Sequence, residues 1–361
     1  MNVSIVCGGT GGHLFPGMAV GEELLARNHQ VLLVISKKEI DQKAVQGSQG
    51  FLIQTLPAVG WRGWRPDHML RFAAMMCQAM VHARRIFRDF QPDAVVGMGG
   101  FSSVAPLLIA RMRRIPSCIH ESNAIAGKAN RLAARFVSAV AVGFETTRDQ
   151  FSSHRTIWTG TPVRSVLRVN KDCYQARKEL ALSEHVSTVL VMGGSQGARG
   201  LNRLVMDALS HFGAMDIQWL HLTGVEDESS VREVYARLGK TAKVYGFYRE
   251  MARLYAAADM VIARSGAASL AEIARWSLPG ILIPFPLATD HHQWANASLF
   301  AEKGSAVVQE ESECSAEHLA GEIKDILMNQ ERRKKMAEAA KAEYVEDSHK
   351  KLADLVEELA M

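Results

Sequence analysis

The sequence predicts an α/β protein made of two doubly wound parallel-sheet domains in series, and three observations carry that prediction. Short β-branched runs alternate with helical stretches along the chain, the pattern of strands covered by crossover helices on both faces. Glycine clusters stand where such runs end, at Gly8–Gly12, Gly97–Gly100 and Gly193–Gly197. The strand, glycine turn and helix pattern restarts after Pro162, in a chain of 361 residues. A single core stops growing near roughly 250–300 residues, so two domains are expected.

Asn2–Cys7 (NVSIVC) reads as the first strand and ends in Gly8-Gly9-Thr10-Gly11-Gly12. A helical pattern runs from Pro16 to Asn28, and a second strand from Gln30 to Ile35. Ala94–Gly97 (AVVG) leads into Met98-Gly99-Gly100, followed by a helix-like stretch to Arg114. The run SCIH ends at His120, and Glu121-Ser122-Asn123 opens a helix, with Ser122 or Asn123 able to cap it. Thr161-Pro162 is read as a hinge, because the residue before proline is held extended. Beyond it, Thr188–Met192 meets Gly193-Gly194-Ser195-Gln196-Gly197, and a helix spans about Leu201 to His211. Further strands are expected at Gln218–Leu222, Lys243–Tyr245, Met260–Ala263 and Gly280–Pro284. From Ser315 the chain is rich in Ala, Glu and Lys and reads as helical.

Composition excludes several classes. With 48% hydrophobic and 22% charged residues, the chain is neither disordered, collagen-like nor a small disulfide-stapled fold. The most apolar long stretch, Ser269 to Ala288, is broken by Glu272 and Arg275, so no membrane span is expected. The start lacks a basic segment before an apolar one, so no signal peptide is expected. Cys7, Cys77, Cys118, Cys173 and Cys314 are odd in number and scattered, which suits a reducing cytosol and offers no zinc spacing. Residues 1–160 hold 18 Lys and Arg against 10 Asp and Glu, whereas residues 161–361 hold 24 against 28. A first half at +8 is expected to meet something anionic, either a phosphorylated substrate or a membrane surface, unless it is only a solvated basic face. Nucleic acid is not expected, since no recognisable binding module is present.

The glycine clusters carry the chemistry. Glycine lets backbone N–H groups approach a ligand, and the following helix start adds positive potential, so each cluster is a candidate anion site. A phosphate ligand in each domain is the natural reading. The G-x-G-x-x-G fingerprint fails at Leu14, and the Walker pattern at Gly239-Lys240-Thr241 fails at Val234. Gly193–Gly197 matches the G-x-S-x-G elbow of hydrolases, with Asp259 or Asp290 and His291 or His292 downstream. The long domain that precedes it fits that plan poorly. His13, directly after a glycine turn, is a candidate general base, or else a hydrogen-bond partner at the helix start. Arg264-Ser265-Gly266 suits a diphosphate and Glu272 a ribose diol, although Arg264 and Glu272 are equally able to pair with each other. Asp290-His291-His292-Gln293 reads as polar contacts rather than a metal site, because adjacent histidines diverge and no spaced third ligand follows. Trp61, Trp64, Met69, Leu70, Phe72, Met75 and Met76 interleave with Arg62, Arg65, Arg71, Arg84, Arg85 and Arg88, a face fitted either to an anionic bilayer or to the core.

GGTGGHLFPG (8–17), GMGG (97–100), HESNAIAGKAN (120–130), TPVR (161–164), GGSQGAR (193–199), RSGAASLAEI (264–273) and the 290–296 stretch together resemble the MurG family of bacterial glycosyltransferases. The motifs stand in family order and span nearly the whole chain. The resemblance implies a GT-B fold, two Rossmann-like domains facing across a cleft. Residues 1–160 would form an acceptor and membrane-associating domain, 161–165 a hinge, 166–340 a UDP-GlcNAc-binding domain, and 341–361 a helix packing back on the first domain. It implies inverting transfer of GlcNAc from UDP-GlcNAc to the MurNAc 4-hydroxyl of lipid I (undecaprenyl-diphospho-MurNAc-pentapeptide), giving lipid II for peptidoglycan. The enzyme would sit peripherally on the cytoplasmic face of the inner membrane, within the wall-synthesis machinery, and use neither cofactor nor metal.

By the same resemblance His13 is the base or positions the acceptor, and Gly8, Gly9, Gly11, Gly12, Gly99 and Gly100 hold the acceptor diphosphate. Thr10, Gly11, Gly12 and His13 also border the donor, with Asn123 and Arg164. Ser195, Gln196, Arg264, Ser265, Gly266 and Ala267 contact the UDP phosphates, Glu272 the ribose, and the backbone at Phe247-Tyr248 the uracil. His292, Gln293 and Asn296 fix GlcNAc hydroxyls, while Leu70, Arg71, Phe72, Met75 and Arg85 meet the membrane. The chain departs from the family at Thr161 (commonly Asn), His292 (commonly Gln), Phe101 (commonly Tyr) and Ser122 (commonly Gln). A GT-B-like UDP-GlcNAc epimerase would share the donor site without needing the basic apolar stretch at 61–88, and a non-catalytic binding protein would tolerate loss of His13.

Overall fold

Strands β1 (Asn2–Val6), β2 (Gln30–Ser36), β3 (Leu52–Leu56), β4 (Ala94–Gly97), β5 (Ser117–Glu121), β6 (Ala139–Val142) and β7 (Thr156–Trp158) form one wholly parallel sheet in the order β3-β2-β1-β4-β5-β6-β7. A second parallel sheet has the order β10-β9-β8-β11-β12-β13, from β8 (Ser187–Met192), β9 (Ile217–Leu222), β10 (Ala242–Tyr245), β11 (Met260–Ala263), β12 (Gly280–Leu282) and β13 (Ala306–Val308). The computed structural model describes residues 1–8, 11–38, 42, 45, 50–57, 65–194 and 197–361. It divides into two compact units, Met1–Ser165 with Val345–Met361, and Val166–Tyr344.

Alternation along β1 supplies two core layers. Val3 and Ile5 face helix α1 (Gly11–Ala26), whereas Val6 packs with Phe87 of α2 (Pro66–Phe90) and Leu107 of α3 (Phe101–Met112) on the other face. Helix α1 starts at Gly11, earlier than the expected Pro16, which lies inside it. Pro16 forgoes one backbone bond, to the carbonyl four residues back at Gly12, a loss confined to the helix's early turns.

The C-terminal stretch is three helices: α12 (Ala316–Met328), α13 (Gln330–Ala342) and α14 (Ser348–Ala360). Ser315 and Asn329 cap the first two by accepting from His318 N and Arg332 N. Helix α14 belongs to the first unit and buries Leu352, Ala353, Leu355 and Val356 beside Val3 and Ile5. Arg27 clasps it, bonding Asp354 and Glu357 at 2.6 Å each. The expected hinge at Thr161-Pro162 lies within the first unit, because Thr161 and Val163 are buried and the Thr161 carbonyl accepts from Ser348 Oγ at 3.2 Å. The chain passes between units after Ser165 and again after Tyr344.

Candidate active site

In the first unit, the polar groups gather at the carboxyl ends of β1, β4 and β5. Gly8 follows β1 so closely under the neighbouring strand that a Cβ there would lie 2.4 Å from Ser36 N. Ser102 Oγ donates to the Gly8 carbonyl at 2.8 Å, and Ser103 Oγ to the Gly99 carbonyl at 2.8 Å. The Ser102 hydroxyl ties the turn after β4 to the turn after β1, while Ser103 braces the turn after β4 itself. Gly99 (φ +111°) and Gly100 (φ +75°) adopt backbone that disfavours any side chain. The gap left by their missing side chains holds His13: a Cβ on Gly99 would be 2.8 Å from its Cε1 and 3.0 Å from its Nδ1. His13 is the third residue of α1 and half-buried, so the fold brings together two motifs that the sequence held far apart.

His120 lies in β5, fully buried, and donates from Nε2 to the Gly160 carbonyl at 2.9 Å. A carbonyl can only accept, so Nε2 carries the proton and Nδ1 is left to accept from Ser122 Oγ at 3.1 Å. Burial pushes the His120 imidazole below its ordinary range, keeping the ring neutral; nearby His13 acts in the same direction. Glu121 organises the loop after β5. Its Oε1 accepts from Asn123 N (2.9 Å) and Nδ2 (3.1 Å), its Oε2 from Gly127 N (2.9 Å) and Asn130 Nδ2 (2.8 Å). Asn130, which sequence reasoning did not single out, lies 3.5 Å from the Cβ position of Gly99 and so joins this loop to the glycine turn. Only its place in the quoted HESNAIAGKAN motif hinted at it. Arg164 stacks 4.0 Å above the Phe15 ring of α1.

In the second unit, β8 runs into Gly193-Gly194. Among the described residues nothing lies within 4 Å of the Cβ position of Gly194 (φ +91°), whereas a Cβ on Gly197 (φ +75°) would lie 2.4 Å from the Thr223 carbonyl oxygen. Gly9, Thr10, Ser195 and Gln196, like Trp61, Arg62 and Trp64, lie outside the described residues. Beyond β11, Gly266 caps helix α10 (Ala267–Arg275) with ordinary φ of −65° and, among the described residues, nothing within 4 Å of its Cβ position. That helix start is held from behind. Ser265 Oγ donates to the Gln293 carbonyl at 2.7 Å, and Asn296 Nδ2 to the Ser265 carbonyl at 3.1 Å. Gln293 Oε1 accepts from Phe285 N at 2.9 Å, and His292 Nδ1 donates to the Thr289 carbonyl at 2.5 Å. Buried Asn296 thus supports the turn, while Gln293 and His292 are half-buried at the start of α11 (His292–Glu302). Phe247 is exposed, and Tyr248 leans on Tyr245 with ring centroids 4.6 Å apart.

Arg264 and Glu272 do not pair. Buried Arg264 donates from Nη1 to the carbonyls of Ile283 (3.0 Å) and Pro284 (3.1 Å) at the end of β12, and from Nη2 to Glu311. Glu272, also buried, accepts at Oε2 from Tyr255 Oη at 2.7 Å. Neither Glu311 nor Tyr255 carried a signal in the sequence. Asp259 cannot serve a Ser195 elbow: its Oδ2 accepts from Arg177 Nη2 (2.6 Å) and Thr188 N (2.7 Å) at the amino end of β8, the opposite end from the glycine turn. Among the described residues no group of three or more His, Cys, Asp or Glu is placed to hold a metal.

The basic apolar stretch splits by face. Leu70, Arg71 and Arg85 on α2 are exposed, Leu70 by 75%. Phe72 and Met75, expected at a membrane, turn inward instead. Phe72 meets Phe101 edge-on with centroids 5.4 Å apart, and both residues pack on Ala79 and Ala105 in the seam between α2 and α3. Among the described residues no helix is long and apolar enough to cross a membrane.

Residues 3–142 match the Glycosyltransferase family 28 N-terminal domain and residues 188–352 the Glycosyltransferase family 28 C-terminal domain. A protein of Anaeromyxobacter sp. (strain Fw109-5) named UDP-N-acetylglucosamine--N-acetylmuramyl-(pentapeptide) pyrophosphoryl-undecaprenol N-acetylglucosamine transferase is 37% identical, covering 99% of this chain and 93% of its own. Its namesake from Pseudomonas syringae pv. syringae (strain B728a) is 35% identical over 99% of both chains. The crystal structure of Acinetobacter baumannii MurG is similar over 99% of both chains, with 28% identity and a TM-score of 0.77. With both halves matched and relatives aligned end to end, the chain belongs to glycosyltransferase family 28 and, within it, to the MurG family.

Proposed function

We propose that this chain transfers N-acetylglucosamine from UDP-GlcNAc to the MurNAc 4-hydroxyl of undecaprenyl-diphospho-MurNAc-pentapeptide, with inversion at the anomeric carbon. The observation that carries the reading is its end-to-end likeness to chains named for that transfer. The second unit would take the donor. Open backbone at Gly194 and Gly266, the start of α10 at Ala267 and residues Ser195 and Gln196 suit the diphosphate, and Glu272 the ribose diol. Arg264 is spent on internal bonds and would shape that site rather than touch the phosphates. The backbone at Phe247 and Tyr248 would read the uracil, and His292 and Gln293 the sugar hydroxyls.

The first unit would take the acceptor, with Gly8, Gly9, Gly11, Gly12, Gly99 and Gly100 around its diphosphate, while its Asn123 and Arg164 would border the donor. His13 removes the 4-hydroxyl proton as the oxygen bonds to the anomeric carbon and the bond from that carbon to UDP breaks. The negative charge developing on UDP is met by fixed backbone N–H groups. We read Leu70, Arg71 and Arg85 as the part of α2 that meets an anionic membrane surface.

Radiolabelled UDP-GlcNAc incubated with the protein and a lipid I analogue, in EDTA, tests the reaction. Label should pass into the lipid product. Donor binding accompanied by epimerisation instead of transfer would replace the transferase with an epimerase, and absence of binding would remove the donor assignment. Leu70→Ser should reduce sedimentation with anionic liposomes at unchanged melting temperature, as the side chain is 75% exposed; equal sedimentation would overturn the membrane reading.

A further inference from the structure

Glu272 is a carboxylate inside a protein. At 8% exposure it needs donors, and the donor at its Oε2 is the hydroxyl of Tyr255, 2.7 Å away. Tyr255 belongs to a different element, α9 (Met251–Ala257), and is itself 1% exposed. Its ring lies nearly parallel to Trp276, with centroids 6.2 Å apart and 18° between planes. Its hydroxyl also sits 3.5 Å from Met192 Sδ, the last residue of β8 before the Gly193-Gly194 turn. A buried ring stacked on Trp276 thus presents one hydroxyl at the junction of the glycine turn and the Glu272 carboxylate.

We infer that Tyr255 is a positioning residue for the donor nucleoside: it sets the orientation of Glu272 so that the carboxylate meets the ribose diol. The inference rests on the assignment of Glu272 to the ribose. A carboxylate offers about four acceptor positions, so one bond to Tyr255 is compatible with a two-point grip on vicinal hydroxyls. That bond fixes the Oε2 end of the carboxylate, and a grip on two hydroxyls is more sensitive to its rotation than a contact with one. The loss should therefore fall on ribose discrimination and not on uracil or phosphate binding.

Calorimetric titration of the full-length protein with UDP and with 2′-deoxy-UDP reads this directly. Wild type should prefer UDP by roughly tenfold or more, the worth of a hydrogen bond to a charged group. Tyr255→Phe, which keeps the ring and its stack, should lose most of that preference while still binding UDP. Trp276→Leu removes the stack but keeps the hydroxyl; it should lower the melting temperature and leave the preference in place. Glu272→Gln marks what loss of the ribose contact itself looks like. If Tyr255→Phe keeps the wild-type ratio while Glu272→Gln loses it, Tyr255 has no positioning role. If both keep it, the ribose assignment fails and the inference goes with it. Glu272→Asp draws the carboxylate one methylene back from the hydroxyl and gives the same reading with residue 255 untouched: a retained ratio there overturns the inference even if Tyr255→Phe does not fold.

Discussion

The two glycine-built sites look alike in sequence and differ in what surrounds their glycines. In the first unit a methyl on Gly8 would lie 2.4 Å from Ser36 N, and one on Gly99 would lie 2.8 Å from His13 Cε1. In the second, among the described residues, nothing comes within 4 Å of the methyl position at Gly194 or Gly266. Gly8 and Gly99 are therefore needed by the protein's own packing, which is already closed around them. Gly266, at an unstrained φ of −65°, is needed neither by packing among the described residues nor by backbone conformation. A glycine that the fold does not require, at the start of a helix, points to close approach by a ligand. The first site thus shows its contacts in the folded chain, whereas the second, closed at Gly197, leaves the backbone open at Gly194 and Gly266.

The widest separation between the sites should come from His13→Ala. Removing a general base lowers turnover by about 10²–10⁴-fold, and since His13 lies in the first unit, UDP affinity should stay close to wild type. Unchanged turnover would take His13 out of the base role. Next comes Gly266→Ala. A methyl there should leave the melting temperature alone and weaken UDP binding by about 10–100-fold, if phosphate oxygens bond to that backbone. Gly99→Ala should do the reverse: φ of +111° and the contact with His13 would lower stability by about 1–3 kcal/mol, with UDP binding spared. Should Gly266→Ala melt early and still bind UDP, the contrast between the two sites would collapse.

These contrasts were only partly legible beforehand. The parallel sheets and the glycine turns could be read because period, composition and turn chemistry are local properties: NVSIVC and TVLVM each run into glycine. The ends of elements shifted where a tolerated exception won, as with Pro16 inside α1. What could not be read was pairing across sequence distance. Arg264 and Glu272 share a short segment, yet the turn after β13 and helix α9 reach them first, so Arg264 bonds Glu311 and Glu272 bonds Tyr255. Phe72 and Met75 share their stripe with Leu70, and only the presence of α3 decided which of them turned inward. The closing of Gly99 over His13 is likewise a tertiary event, because it depends on β4 lying beside β1.

The smallest expected effect concerns a histidine that each unit buries. His120 is part of the first site, whereas His221 of β9 lies behind the second, bonded at Nδ1 to Tyr235 Oη and at Nε2 to Asn202 Oδ1, each at 3.1 Å. Asn202 Nδ2 donates to the Thr223 carbonyl at 2.9 Å, so its Oδ1 is an acceptor and His221 is the neutral Nε2–H form. A Cβ on Gly197 would meet the Thr223 carbonyl oxygen, so this ring backs the glycine loop after β8. Burial pushes the imidazole down to about 3. The unfolded chain binds its proton near the ordinary value of 6.5, and the folded chain does so only near 3. Between those values the unfolded state holds more protons, so this stability is complete above about pH 6.5 and is lost as pH falls. By about pH 5.5 the loss amounts to about 1.4 kcal/mol for one such group, and the lowered His120 adds to it in the same direction. Thermal melts at two pH values on either side of this range should show the decline. His221→Asn, which cannot titrate, should start less stable and lose less on acidification; parallel curves for the two proteins would mean that His221 is protonated in the fold, and that the glycine loop after β8 is not backed by a neutral ring.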